Sequence, residues 1–307
     1  MKPMNANELL AGLTLARPVP ITAVVTDSRK VQPGCIFVCF PGERVDGHDY
    51  IAKAFDLGAA CCLAQRVPAG ETRPVICVPD TATALETLAR AYRARFAIPV
   101  LGVTGSVGKT TAKEMVASVL SQRWNTLKTE KNFNNQLGVP LTLFRLEPEH
   151  EAAVVEMGVS HFGDMAPLDA MVQPTAMLFT IIGHAHLEFL RDRRGVLQEK
   201  ISVLDTMPDD AVAFCNGDDD LLRAMPCRQR KVMFGLSAGC DVRAVDVRDL
   251  GDEGSTCTIV AGARRIPVRI SAYGQHMVYA ALEGAAVGIE YGLTDDEIIR
   301  GIAAYQP

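Results

Sequence analysis

Between Ile21 and Pro79 the chain runs as short apolar segments separated by turns: ITAVVTDSR, CIFVCFPGE, AACCLAQ and PVICVPD. Each is long enough for a strand and too short for a helix, so the pattern predicts strands there, and a helix at HDYIAKAFDLG stopped by Gly58. From Thr81 to Phe96, Leu85, Leu88, Ala89 and Tyr92 share one face opposite arginines, which predicts an amphipathic helix. Pro99 ends it and VLGV starts a new strand at once, placing a domain boundary near residues 96–99.

Beyond that boundary, VLGV, EAAVVEMG, TAMLFTIIG, AVAFCN and KVMFG are apolar throughout, as strands covered on both faces are. Helical patterns alternate with them. One runs from about Thr110 to Trp124, with Met115, Val116, Val119 and Leu120 as its buried stripe. This order predicts an α/β chain: a small N-terminal α/β domain (residues 1–97), then a domain (98–307) with a mainly parallel sheet flanked by helices. VRAVDVRD and STCTIVAGARRIPVRI alternate with period two and predict a β-hairpin appendage. An alanine-rich helix from about His276 to Tyr291, capped by Gly292, is expected to be the last.

Composition narrows the function. A net charge of −5 over 307 residues gives no general attraction to nucleic acid or anionic lipid. No apolar run reaches membrane-spanning length. The nine cysteines form no CxxC pair or zinc-finger spacing and sit mostly in apolar segments, which with the absence of a signal-peptide pattern predicts a soluble cytoplasmic protein. A monomer is expected.

The stretch GVTGSVGKTT, Gly102 to Thr111, changes the picture most. It follows an apolar strand, opens a helix, and reads as a phosphate loop of the GxxxxGK[ST] kind. Glycines let the amides of Gly105, Ser106, Val107 and Gly108 turn toward phosphate oxygens, and the helix adds its positive end. Lys109 is placed against the β- and γ-phosphates, and the Thr110 hydroxyl on a magnesium ion. Glu156 ends the apolar run VVE, at the carboxyl edge of the sheet where a carboxylate can hold that metal.

Kinases, GTPases, transporters and ligases share such a loop, so the reaction stays open at this point. His184 and His186 directly follow another strand; two residues apart on a strand they would face one side and could both reach a site, although an exposed loop pair would look similar. Lys200 lies in the charged segment EFLRDRRGVLQEK and reads from composition as a solvated lysine. KNFNNQLGVP, with three asparagines in four residues, is either a set of turns or a polar recognition loop. In TDSRKVQPG, Ser28 and Arg29 offer a hydroxyl and a guanidinium able to pair with a diphosphate, although a plain turn would look similar.

Together these segments resemble the Mur ligase family. DSRKVQPG, FPGERVDGHDYI, GVTGSVGKTT, KNFNNQLGVPLTLF, VVEMG, GHAHLEF, FCNGDDD and GQHMVYAAL arrive in the family's order and cover nearly the whole chain. The paired asparagines followed by GVPLTL are similar to those members that add D-alanyl-D-alanine to UDP-N-acetylmuramoyl-tripeptide. The resemblance implies an ATP-dependent amide ligase of peptidoglycan precursor synthesis, working through an acyl phosphate. It implies ATP on Gly105 to Thr111, with Asn216 and His276 at the adenosine. Two magnesium ions are implied, the first on Thr110 and Glu156 and the second on His186. Lys200 falls where the family carries a carbamylated lysine, and Lys109, His186 and Lys200 are the implied catalytic residues. Ser28 and Arg29 would recognise the UDP portion, and Asn134 and Asn135 the peptide.

The chain departs from the family at Ile181 for an asparagine, at Lys200-Ile201-Ser202 for Lys-Gly-Glu, and at Ala280 for an asparagine. The resemblance also implies a third, acceptor-binding domain beyond Pro307, without which binding is expected with little ligation. The residues leave room for two other functions: a related ligase joining a different acid and amine, and a non-catalytic nucleotide- or UDP-sugar-binding protein.

Overall fold

The computed structural model describes residues 1–9, 19–42 and 45–306; Glu43 and Arg44 of FPGERVDGHDYI lie outside the described residues. It divides into two compact units, one of residues 1–97 with 136–148, the other of 98–135 with 149–307.

In the first unit, β1 (Met4–Asn5) leads into α1 (Ala6–Leu9) and pairs with β2 (Pro20–Ile21). The expected strands follow: β3 (Ala23–Val25), β4 (Cys35–Val38), β5 (Cys61–Ala64) and β6 (Val75–Cys77). They form a parallel sheet in chain order, and every residue of β4 and β5 is buried. The predicted helix at HDYIAKAFDLG is a 3-10 turn (Gly47–Tyr50) running into α2 (Ile51–Asp56). The helix α3 (Thr81–Arg93) starts where Asp80 accepts from the Thr83 N–H, and buries Leu85, Leu88, Ala89 and Tyr92.

The second unit opens with β7 (Val100–Thr104) and α4 (Lys109–Leu120), followed by β8 (Thr126–Lys128). The chain then passes through the asparagine loop to α5 (Gly138–Leu143), which belongs to the first unit and packs on α3. There the Tyr92 hydroxyl donates to the Leu146 carbonyl at 2.7 Å. The proline in GVPLTL sits at the third position of α5, in the first turn, where its missing N–H has no helical partner to lose.

The second unit continues with β9 (Ala152–Glu156), α6 (Met165–Val172), β10 (Ala176–Phe179), α7 (Leu187–Leu190) and α8 (Arg193–Ile201). Next come β11 (Val212–Asn216), α9 (Asp220–Ala224) and β12 (Arg230–Gly235). The period-two segment gives β13 (Val242–Asp249), β14 (Ser255–Ala261) and β15 (Arg264–Ile270). One nine-stranded sheet results, ordered β15-β14-β13-β12-β11-β10-β7-β9-β8, parallel from β8 to β13 and antiparallel through β14 and β15. The hairpin strands therefore extend the main sheet. The helix α10 (Gln275–Glu290) packs on α4, but it is not the last. A further helix, α11 (Asp295–Ala304), begins at a capping box of Thr294 and Glu297 and also packs on α4. Among the described residues no helix is long and apolar enough to cross a membrane.

Candidate active site

The sheet order puts β7 between β9 and β10, so the ends of all three strands meet at the loop after β7. Five residues separate Gly102 from Gly108, one more than the GxxxxGK[ST] spacing assigned from the sequence. Gly102 lies inside β7, where a Cβ would stand 2.3 Å from the Met177 sulfur. The loop proper is Gly105 to Gly108. Gly105 and Gly108 have φ of +153° and +83°, the latter as the N-cap of α4.

The strand beside the loop holds it in shape. The Thr180 hydroxyl donates to the Val107 carbonyl at 2.6 Å, the Ser106 N–H to the Ile181 carbonyl at 2.8 Å, and the Gly183 N–H to Ser106 Oγ at 2.9 Å. Lys109 Nζ donates back to the Gly105 carbonyl at 2.9 Å. Burial lowers its pKa, and the Glu156 charge opposes that shift.

Glu156, buried at the end of β9, gathers two loops. Its Oε2 accepts from the Thr110 hydroxyl at 3.0 Å and its Oε1 from the Asn134 side-chain N–H at 2.8 Å. Its N–H donates to Thr129 Oγ1 at 3.0 Å. Asn134 also accepts from the Gly158 N–H through its carbonyl at 2.8 Å, while Asn135 is exposed. An oxygen-only pair of hydroxyl and carboxylate beside a phosphate loop suits magnesium.

His184 and His186 are exposed. His186 has φ of +55° at the start of α7, and among the described residues no hydrogen bond or ion pair joins its side chain to Glu156. No group of three or more His, Cys, Asp or Glu that could hold a metal forms among the described residues.

Lys200 is not a solvated lysine: α8 carries it inward and it is 1% exposed. Burial first, and then repulsion from Lys109, push its pKa down to about 7, against the pull of Glu199. That repulsion places the two lysines within electrostatic reach of each other. Glu199 is itself buried, accepting from the Gly163 and Met165 N–H groups at 2.9 and 2.7 Å. Nothing in the composition of a charged helix distinguishes its one inward lysine.

On the other side of the loop a cleft of about 240 Å³ is lined by Val107, Gly108, Thr111, Asn216, His276, Tyr279 and Glu283, among others. It brings Asn216 and His276 together with the loop. Asn216 is buried at the end of β11, its Oδ1 accepting from the Asp218 N–H at 3.0 Å; His276 is exposed in the first turn of α10. Asp218 accepts from the Tyr279 hydroxyl at 2.8 Å. Nothing in the sequence pattern singles out Thr180, Tyr279 or Glu283, and Asp218 is one of three consecutive aspartates.

Ser28 and Arg29 belong to the first unit, in a 3-10 turn (Ser28–Lys30) capped by Asp27. The Arg29 guanidinium donates to both Asp27 oxygens, at 2.9 and 2.8 Å, and holds the Asp27 pKa at about 2. Arg29 remains 87% exposed, so its outer face is open to an anion.

Residues 103–288 match the Mur ligase middle domain, and residues 20–93 match the Mur ligase family, catalytic domain. The UDP-N-acetylmuramoyl-tripeptide–D-alanyl-D-alanine ligase of Bacillus subtilis is 36% identical, over 97% of this chain and 66% of its own length. That of Escherichia coli is 35% identical, over 96% of this chain and 66% of its own. The chain thus spans about two thirds of the length of these curated relatives. A crystal structure of MurF from Acinetobacter baumannii superposes with a TM-score of 0.92 at 29% identity, covering 100% of this chain and 69% of that one. MurF ligase from Thermotoga maritima in complex with ADP gives 0.83 at 30% identity, covering 93% and 66%. With segments of both units matched by the family's models, this chain belongs to the Mur ligase family.

Proposed function

We propose that this chain binds ATP on Gly105 to Thr111 and activates the carboxylate of UDP-N-acetylmuramoyl-tripeptide for amide formation with D-alanyl-D-alanine. The observation that carries this reading is the meeting of Thr110 and Glu156 at the head of the loop, with Lys109 beside them and the relatives' names supplying the substrates. A carboxylate cannot be displaced by an amine, because its oxide is a poor leaving group. Attack of a carboxylate oxygen on the γ-phosphorus forms the C–O–P linkage and breaks the bond to ADP. The amine then adds to the carbonyl carbon, expels phosphate and loses a proton. Charge grows on the phosphoryl oxygens in the first step and on the carbonyl oxygen in the second, so a preplaced Lys109 lowers both barriers.

Thr110 and Glu156 would hold the first magnesium ion, and His186 would serve the second. Bound magnesium would supply Lewis-acid stabilisation of the phosphate oxygens. Asn134 and Asn135 are proposed to face the peptide, and Ser28 and Arg29 the UDP. Lys200, with its pKa near 7, holds a large neutral fraction at neutral pH. Its Nζ lone pair can then add to the carbon of carbon dioxide, a C–O π pair moving to oxygen and one proton leaving to solvent. The product is a carbamate anion in place of a cation beside Lys109.

Calorimetric titration tests the reading. Wild-type chain is expected to bind ATP with magnesium and, separately, UDP-N-acetylmuramoyl-tripeptide more tightly than other UDP-sugars; Lys109→Ala is expected to lose ATP alone. Absence of ATP binding, or equal binding of all UDP-sugars, overturns it.

A further inference from the structure

One side chain in the cleft beside the loop has no part in gripping phosphate or metal. Glu283 lines that cleft with Thr111, Asn216, His276 and Tyr279, yet is only 5% exposed. Among the described residues no hydrogen bond or ion pair engages its carboxyl group. A buried carboxyl group without a partner costs stability, so its position at a cleft wall points to a ligand group that meets it. Residue 280, three positions earlier and therefore on the same helix face, is alanine, so the polar groups that α10 turns to the cleft are His276, Tyr279 and Glu283.

The cleft shares Val107, Gly108 and Thr111 with the phosphate loop. On the reading that ATP phosphates lie on that loop, on which this inference rests, the cleft is where the nucleoside end reaches. We infer that Glu283 reads the purine base, its carboxylic acid pairing with the 6-amino edge of adenine.

The chemistry favours adenine over 6-oxo purines. Burial alone, with no neighbouring charge contributing, raises the Glu283 pKa well above the ordinary carboxylate range and so favours the neutral acid over the anion. A neutral carboxyl group presents one donor beside one acceptor, as the amide of glutamine does. Adenine presents the complement, the N7 acceptor beside the N6 amino donor. On that same N7 edge a 6-oxo purine presents two acceptors, N7 and O6, and sets O6 against the acid's carbonyl oxygen.

The experiment compares ATP with inosine triphosphate, which replaces the 6-amino group by an oxo group, by calorimetric titration of the full chain with magnesium. Wild type is expected to prefer ATP by about tenfold or more, the effect of one satisfied and one frustrated hydrogen bond. Glu283→Gln keeps the donor and acceptor and is expected to keep the preference. Glu283→Ala is expected to bind both triphosphates with the preference reduced below about threefold, a residue suited to a helix interior that also leaves the fold intact by thermal melting. Full preference in Glu283→Ala overturns the inference, as does its loss in Glu283→Gln. If wild type binds neither triphosphate, the phosphate-loop reading itself fails and this one with it.

Discussion

Asn134 donates its side-chain N–H to Oε1 of Glu156 at 2.8 Å, so the asparagine loop steadies the very carboxylate that ends β9. The other oxygen takes the Thr110 hydroxyl, and together the two contacts fix the carboxylate plane beside the phosphate loop. Whatever the peptide contacts proposed for Asn134, its side chain is engaged with this carboxylate.

Asn134→Ala should therefore act through the metal. Loss of a neighbour that orients a metal-holding carboxylate costs on the order of tenfold in metal affinity. ATP titrations with magnesium and with a chelator separate the effects: the loss is expected only with magnesium. An equal loss in both would show that Asn134 acts on the nucleotide or the fold instead.

Gly105 and Gly108 should differ sharply when replaced by alanine. A Cβ on Gly105 would stand 2.0 Å from Thr180 Oγ1, an atom already held by its bond to the Val107 carbonyl. Relief requires breaking that bond or moving the loop, at about 2–4 kcal/mol. A Cβ on Gly108 meets nothing nearer than 4.0 Å, and only its φ of +83° is strained, costing about 1 kcal/mol. Urea denaturation should rank Gly105→Ala as clearly the less stable, with nucleotide binding lost; the reverse ranking would refute the packing argument.

What the sequence disclosed follows from where the physics is local. Strands such as AAVVE and AMLF are apolar on both faces because the sheet is covered on both, and that burial is written in consecutive residues. The phosphate loop is legible for the same reason, since its chemistry lies within one turn of chain. Lys200 was not legible, because its inward direction depends on how α8 seats against its surroundings. Nor was Thr180, whose hydroxyl matters only because β10 lies beside β7. The helix α11 is hard to read although Thr294 and Glu297 carry its capping box, because the Gly292 stop before it masks a fresh start.

That helix is tied to the loop after β7 through α4. A Cβ on Gly301 would lie 2.4 Å from Val119 Cα, and the Gly301 carbonyl accepts from the Ser118 hydroxyl at 2.7 Å. Since the near atom is backbone, no rotamer change relieves the clash. Gly301→Ala should lower stability by about 3 kcal/mol or more and weaken ATP binding by displacing α4, whose first residue is Lys109. Chemical denaturation followed by titration checks both; unchanged stability would mean that α11 can lift off without consequence.

Lys200 should make the stability of this chain depend on pH in an unusual direction. Its folded pKa of about 7 lies below the ordinary lysine value of 10.5, so between these limits the unfolded chain binds more protons than the folded one. Stability from this group therefore rises with pH across that window: the penalty of burying the amine is full below about pH 7 and vanishes above about pH 10.5. Lys200→Met keeps the volume and removes the titration. In buffers free of carbon dioxide its stability advantage over wild type should be largest near pH 6 and much smaller near pH 9, measured by urea unfolding. Bicarbonate should alter the wild type and leave Lys200→Met unmoved, because only the lysine can take up carbon dioxide. An advantage that stays constant from about pH 6 to pH 9 would mean that the folded amine titrates as an ordinary lysine, and it would remove the chemical basis for carbamylation at this position.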